Sequence, residues 1–292
     1  MADDALPVLE PARASLRVET AQPDAPQLET LDASAVLRAR DDRRFGGVAR
    51  LYGDAALDAL GQAHVCVVGI GGVGSWAAEA LARSGVGCIT LIDADHVAES
   101  NVNRQVHALD STLGAAKIDV MRARIADIAP RCDVRTVDDF VTAQNATDLV
   151  PVGAFVIDAI DVPRAKAALV ASAVRRRQPI VVCGAAGGRT DPLRLRRDDL
   201  ARTTGDALLA SVRSRLRREH GFERRPGAKF GVTAIYSDEQ FPAATHCSAT
   251  RAGAGFALSC SGYGSLVTVT AAMGLAAASF ALARIVAGSS AA

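Results

Sequence analysis

The first residues able to do chemistry are Gly69-Ile70-Gly71-Gly72-Val73-Gly74, set between an apolar run and a helical pattern. Gly69 permits a tight turn, Gly71 lets backbone N–H groups approach a phosphate, and Gly74 lets helix and strand pack closely. About 20 residues on, Asp93 ends the next apolar run, where a carboxylate accepts hydrogen bonds from a ribose. These residues alone are the common dinucleotide fingerprint, whose first expectation is a nicotinamide enzyme.

Three further features shift that expectation. Asn101-Val102-Asn103-Arg104-Gln105 follows the ribose acid, and Arg104 offers a planar, bidentate phosphate contact. Lys117 opens the next helical pattern and brings a second cation. Asp158 and Asp161 close the FVIDAI run, where a hard carboxylate can hold Mg²⁺ bridging phosphates. Hydride transfer needs neither two cations nor a metal carboxylate. An ATP site that stabilises charge on the α-phosphate needs both. Blander readings stand beside these: surface charge for Arg104 and Lys117, a helix cap beside Pro163 for Asp161, and a structural carboxylate for Asp158.

Bringing these residues together requires strands alternating with helices. HVCVVGI, CITLIDAD, CDVRTVDDF, FVIDAI and PIVVCGAAGG read as strands; SWAAEALARSG, AAKIDVMRARIADIAP and AKAALVASAVRRR read as helices. That alternation predicts an α/β fold, a doubly wound, Rossmann-like and mainly parallel sheet with ligands at the carboxyl ends of its strands. Residues 1–40 mix prolines, seven acids and four arginines without periodicity and read as a mobile N-terminal extension. Residues 41–188 form the expected nucleotide-binding core, led in by a short helix over 41–60. Residues 189–292 are expected to continue it as a substrate-side elaboration of short strands and loops ending in an apolar helix.

Composition narrows the classes. The chain has 292 residues, 49% hydrophobic, with 33 basic and 32 acidic residues and a net charge of +1. No global field therefore selects nucleic acid or membrane. Eight Phe, three Tyr and one Trp are too few for an aromatic-rich single-strand binder. Only Lys117, Lys166 and Lys229 are lysines. Locally the charge is uneven: residues 189–229 hold 12 Arg and Lys against 6 acids, a stretch suited to RNA phosphates or to a solvated amphipathic helix. Six scattered cysteines form no C-x-x-C pair, which argues against a zinc ribbon or a disulfide framework. Cys247 and Cys260 could be proposed as nucleophiles, but no activating base lies nearby in sequence, and His107 and His246 are equally uninformative. No secretory signal is visible, so the expected location is the cytoplasm. Residues 262–283 lack charge and are long enough to span a membrane, yet their Ala, Gly, Ser and Thr would insert weakly. A buried or interface helix is the preferred reading, with membrane association the alternative.

The joint set resembles the MoeB/ThiF and ubiquitin-activating-enzyme superfamily of adenylating enzymes. That resemblance implies that Gly69, Gly71, Gly72 and Gly74 cradle ATP and that Asp93 holds its ribose. Asn103, Arg104 and Gln105 match the phosphate-contacting motif, Lys117 adds the second cation, and Asp161 holds Mg²⁺. Family members also use an arginine from the partner subunit's N-terminal region, matched here by Arg44 or Arg50, with Arg50 carried as the site residue. RFGGVARLYG, HVCVVGIGGVGSWAAEALARSGVG, NRQVHAL, VDDFVT, VIDAID and GGRTDPLRLRRDDL together resemble the tRNA threonylcarbamoyladenosine dehydratases within it, over residues 43–288. That branch implies adenylation of the threonylcarbamoyl carboxylate on tRNA, ring closure with loss of water, a homodimer, and potential sulfur-acceptor or cysteine-desulfurase partner proteins. Two other readings stay open. Activation of a ubiquitin-like sulfur carrier is disfavoured by the missing C-x-x-C pairs, and a non-catalytic nucleotide-binding scaffold by Arg104, Lys117 and Asp161.

Overall fold

The computed structural model describes residues 33–225, 227–240 and 264–289. The chain divides after Asp41 into a small N-terminal unit and a larger unit that holds the sheet. Seven strands make that sheet: β1 (His64–Val68), β2 (Cys88–Ile92), β3 (Asp133–Val137), β4 (Phe155–Asp158), β5 (Ile180–Cys183), β6 (Leu195–Asp199) and β7 (Thr233–Ser237). Their spatial order is β3-β2-β1-β4-β5-β7-β6, and every neighbouring pair is parallel except β6 with β7. The order reverses between β1 and β4, where open α/β sheets leave a crevice for ligands.

The helices are α1 (Ala33–Tyr52), α2 (Asp54–Gln62), α3 (Gly74–Arg83), α4 (Lys117–Ile128), α5 (Ala146–Leu149), α6 (Pro163–Arg175), α7 (Ala207–Glu219) and α8 (Val267–Ser289). The central strands are apolar at nearly every position because both faces are covered. Val65, Val67, Ile89, Leu91 and Ile157 face Leu60 of α2, Leu81 of α3, Met121 of α4 and Met273 of α8. Cys66, Val68, Ile92, Val156 and Val182 face Leu169 of α6 and Leu209 and Val212 of α7.

Two local differences from the sequence reading have physical causes, and a third feature, the apolar terminal helix, follows the preferred reading. α1 starts at Ala33, inside the stretch expected to be irregular, because ASAVLRARDDRR is rich in helix formers. β6 lies within the basic stretch as the antiparallel edge strand, and exposed Arg196, Arg197 and Asp198 blunt that edge against further pairing. β6 and β7 thereby extend the same sheet that carries the nucleotide loop. The apolar terminal helix α8 buries Val269, Met273, Ala277, Ala278 and Ala281 against the protein. A Cβ on its Gly274 would lie 2.2 Å from the carbonyl oxygen of Val73, so α8 and the start of α3 meet at backbone distance.

Candidate functional site

The glycine loop leaves β1 and turns at Gly69, whose φ of 85° suits glycine. A Cβ on Gly74 would lie 1.8 Å from the carbonyl oxygen of Gly69, so strand and helix join through bare backbone. Gly71 differs: a Cβ there would meet no atom within 4 Å, and the open space is a cavity of about 410 Å³. The N-terminus of α3 borders that space, and its free N–H groups and dipole favour an anion.

Asp93, at the end of β2, ties the loop in place. Its Oδ2 accepts the Ile70 N–H at 2.6 Å and its Oδ1 accepts the Asp95 N–H at 2.8 Å. Burial lifts its carboxyl above the ordinary range, against the pull of the Lys117 charge and these backbone donors. Lys117, the first residue of α4, is buried and points its Nζ at Asp95 Oδ2, 2.8 Å away. Asp95 holds the ammonium at the cavity wall and remains half-exposed itself, so a bound anion would share that cation.

Arg104 lies over the loop. A Cβ on Gly72 would come within 3.2 Å of its Cγ and 3.3 Å of Thr270 Cβ from α8. The Trp76 indole donates to the Arg104 carbonyl at 3.0 Å, while the guanidinium donates to Asn103 Oδ1 at 2.9 Å. Asn103 in turn donates to the Ser265 carbonyl at 2.8 Å. Gln105 is 5% exposed, lines the cavity, and its Oε1 has no hydrogen-bond partner among the described residues. Such an orphaned acceptor is expected to be satisfied by a ligand or a water.

Asp161 reaches the wall from the β4–α6 connection. It does not cap α6: Val162 occupies that position and Pro163 is the first helical residue. Asp158 belongs to the core instead, with its Oδ1 2.7 Å from the Lys166 ammonium and both side chains fully buried. Burial raises its carboxyl, which Lys166 opposes.

The cavity therefore gathers Gly69, Gly71, Gly72, Asp93, Arg104, Gln105, Lys117 and Asp161. Gly74 and Asn103 support the wall from behind. Arg50 is exposed on α1 beside a separate recess formed with Gly46, Ala49 and Asp54. Arg44 donates to the carbonyls of Asp127 and Ile128 at 3.2 and 2.7 Å, capping the last turn of α4. Cys66 and Cys183 are buried, with thiols pushed up to about 12 by burial, and so are inert. Cys247, Cys260 and His246 lie outside the described residues. His107 is 1% exposed and neither ring nitrogen has a hydrogen-bond partner among the described residues.

Sequence reasoning missed three contributors: Asp95, which holds Lys117; Thr270, delivered by α8; and the apolar side formed by Ile92, Phe140 and Val141. The lining thus combines apolar side chains suited to a flat base with two cations, carboxylates and backbone N–H groups. A polyphosphate nucleotide matches that combination.

Comparison with known proteins agrees. The ThiF family profile matches residues 46–289. The tRNA threonylcarbamoyladenosine dehydratase of Escherichia coli K12 is 48% identical over 252 residues, covering 84% of this chain and 94% of that protein. The crystal structure of the E. coli enzyme TcdA in complex with ATP superposes with a TM-score of 0.77 at 46% identity, covering 85% of this chain and 96% of that one. Its complex with AMP gives a TM-score of 0.78 at 46% identity, covering 86% and 97%. With the glycine loop, the paired cations and this likeness on record, the chain belongs to the ThiF family, in the branch of the tRNA threonylcarbamoyladenosine dehydratases.

Proposed function

We propose that this protein is an ATP-dependent dehydratase that activates the carboxylate of threonylcarbamoyladenosine in tRNA and closes it to the cyclic form. The observation that carries the reading is one cavity holding a phosphate-cradling loop, two cations and a carboxylate, in a chain 48% identical to a protein named for that reaction.

The chemistry follows from the leaving group. A carboxylate is a poor electrophile because its oxygen leaves badly. When that oxygen attacks the α-phosphorus of ATP, pyrophosphate departs and the carboxyl becomes an acyl adenylate. An internal nucleophile of the same modified base then attacks the acyl carbon, AMP leaves with the former carboxylate oxygen, and the ring closes with net loss of one water. Arg104 and Lys117 offset charge on the α-phosphate and the departing pyrophosphate. The glycine-loop N–H groups fix the phosphates, Asp93 holds the ribose, and Gln105 Oε1 accepts from the bound nucleotide or its water.

Asp161 supplies a hard carboxylate oxygen to the cavity wall, a donor that suits Mg²⁺ alongside phosphate and water oxygens. Bound there, Mg²⁺ would supply charge neutralisation on the phosphates. With Arg44 engaged at α4, Arg50 is the candidate of the two left to serve a second subunit's site in a homodimer. The buried face of α8 supports a core helix rather than a membrane span, and with it a cytoplasmic protein. The basic stretch, which includes α7, would hold tRNA phosphates.

The test is product analysis. Purified protein, ATP and Mg²⁺ with threonylcarbamoyl-modified tRNA should release AMP and pyrophosphate in proportion to modified tRNA. Release of ADP, or AMP formation that ignores the modification, contradicts the proposal.

A further inference from the structure

α7 connects two places. Its first residues, Ala207 and Leu208, line the nucleotide cavity. Its later turns carry Arg213, Arg217 and Arg218 into a basic cleft completed by Arg224 and Arg225. At about 1.5 Å per residue, the helix separates its ends by about 20 Å. Beside its C-terminus lies a further recess of about 310 Å³, walled by Phe222 and Phe230 and rimmed by Arg175, His220, Glu223 and Lys229.

Two of the eight phenylalanines of the chain thus meet at one surface recess. Their rings pack edge to face with centroids 5.0 Å apart; Phe230 is buried and Phe222 is half-buried. Arg217 joins recess to cleft, since it lines the cleft and sets its guanidinium 5.2 Å from the centre of the Phe230 ring.

Carboxylates balance only part of the positive charge around these rings. Arg218 pairs with Glu219 at 3.5 Å and Arg225 with Glu223 at 3.0 Å. Among the described residues, Arg175, Arg213, Arg217, Arg224 and Lys229 have no carboxylate partner. Arg213 has its pKa lowered by burial and then by the neighbouring Arg217 charge, against the weaker pull of the Asp206 carboxylate. Cations gathered in excess of their counter-charge call for an anion. An anion alone leaves the aromatic wall unused, whereas an unpaired nucleotide uses both: phosphate on the cations, base on the ring.

We propose that this recess takes one unstacked nucleobase of the substrate RNA, with neighbouring phosphates on Arg213, Arg217 and Arg224. α7 then acts as a spacer between that base and the modified adenosine. Its length corresponds to about six nucleotides at about 3.4 Å per stacked residue. The inference rests on the reading of tRNA as substrate and adds a second, base-accepting site to it.

The experiment uses the full chain and threonylcarbamoyl-modified tRNA, with affinity measured at 50 mM and 200 mM salt and ATP binding followed in parallel. Phe222→Leu keeps apolar bulk but removes the π-face. It should weaken tRNA binding by about 5- to 150-fold, as expected for one stacked base, with the salt slope and ATP binding unchanged. Phe222→Trp should restore affinity. Arg224→Gln should instead lower the salt slope by about one. Ultraviolet cross-linking of the wild-type complex needs no substitution and should attach Phe222 to a single nucleotide about six positions from the modified adenosine. Phe222→Leu binding as tightly as wild type, or cross-links found only elsewhere, overturns the proposal while leaving tRNA as substrate. Wild-type protein that binds ATP but no tRNA overturns the substrate reading itself.

Discussion

Two glycines in one loop predict opposite outcomes for the same added methyl group. At Gly71 a Cβ meets nothing within 4 Å and φ lies outside the left-handed region, so Gly71→Ala leaves the fold unstrained. Losing a glycine from the unfolded chain stabilises by about 0.4–1 kcal/mol, which raises Tm by up to about 4 °C. The same methyl projects into the space where phosphate must approach the loop N–H groups. Disturbing even one charge-assisted hydrogen bond of about 1.5–3 kcal/mol should weaken ATP binding by at least about tenfold. Gly74→Ala forces a Cβ to 1.8 Å from the Gly69 carbonyl oxygen. Backbone must move, at about 1–3 kcal/mol or more, and Tm falls by several degrees. Thermal melting with and without ATP, beside calorimetric titration of ATP, separates the two. Gly71→Ala binding ATP like wild type, or melting as low as Gly74→Ala, would refute the division of roles.

Arg104→Ala should cut AMP-forming turnover by about 10²–10³ with little change in Tm, because the Trp76 bond reaches only its backbone carbonyl; undiminished turnover removes its phosphate role. Lys166→Met strands the buried Asp158 carboxylate and should cost about 3–5 kcal/mol in urea unfolding, while adding Asp158→Leu should recover most of it. Equal stability of the single and double variants contradicts that pairing. His107 has its pKa lowered to about 4, by burial first and then by Lys117 and Arg124. The unfolded chain binds that proton near pH 6.5, so stability falls as pH drops from about 6.5 to 4, by about 3 kcal/mol. His107→Leu should flatten that part of the stability profile, and an unchanged slope would discount His107 as its source.

The parts of the site that were legible in the sequence are local. Gly69 to Gly74, Asp93 and Lys117 sit at a strand end or helix start, and alternating strands and helices deliver such ends to one side of the sheet, while Arg104 is recognised by its Asn-x-Asn-Arg-Gln motif in the turn between them. What escaped is long-range pairing. Nothing near Lys166 in sequence announces that it neutralises Asp158 in the core, nor that Arg44 caps α4 rather than remaining open for a partner. Thr270 enters the cavity only because Gly274 lets α8 press against the start of α3, a contact set by the tertiary fold. Antiparallel β6 was hidden because an edge strand needs no apolar outer face, and its charges read as solvated surface.

The central claim is that ATP-driven activation of a carboxylate ends in loss of water from the modified base. Mass analysis of nucleosides from threonylcarbamoyl-modified tRNA, after incubation with the protein, ATP and Mg²⁺, tests it most directly. The account predicts conversion to a species lighter by one water, dependent on ATP and abolished by Arg104→Ala. An unchanged nucleoside mass, with AMP found instead on an added carrier protein, would contradict it.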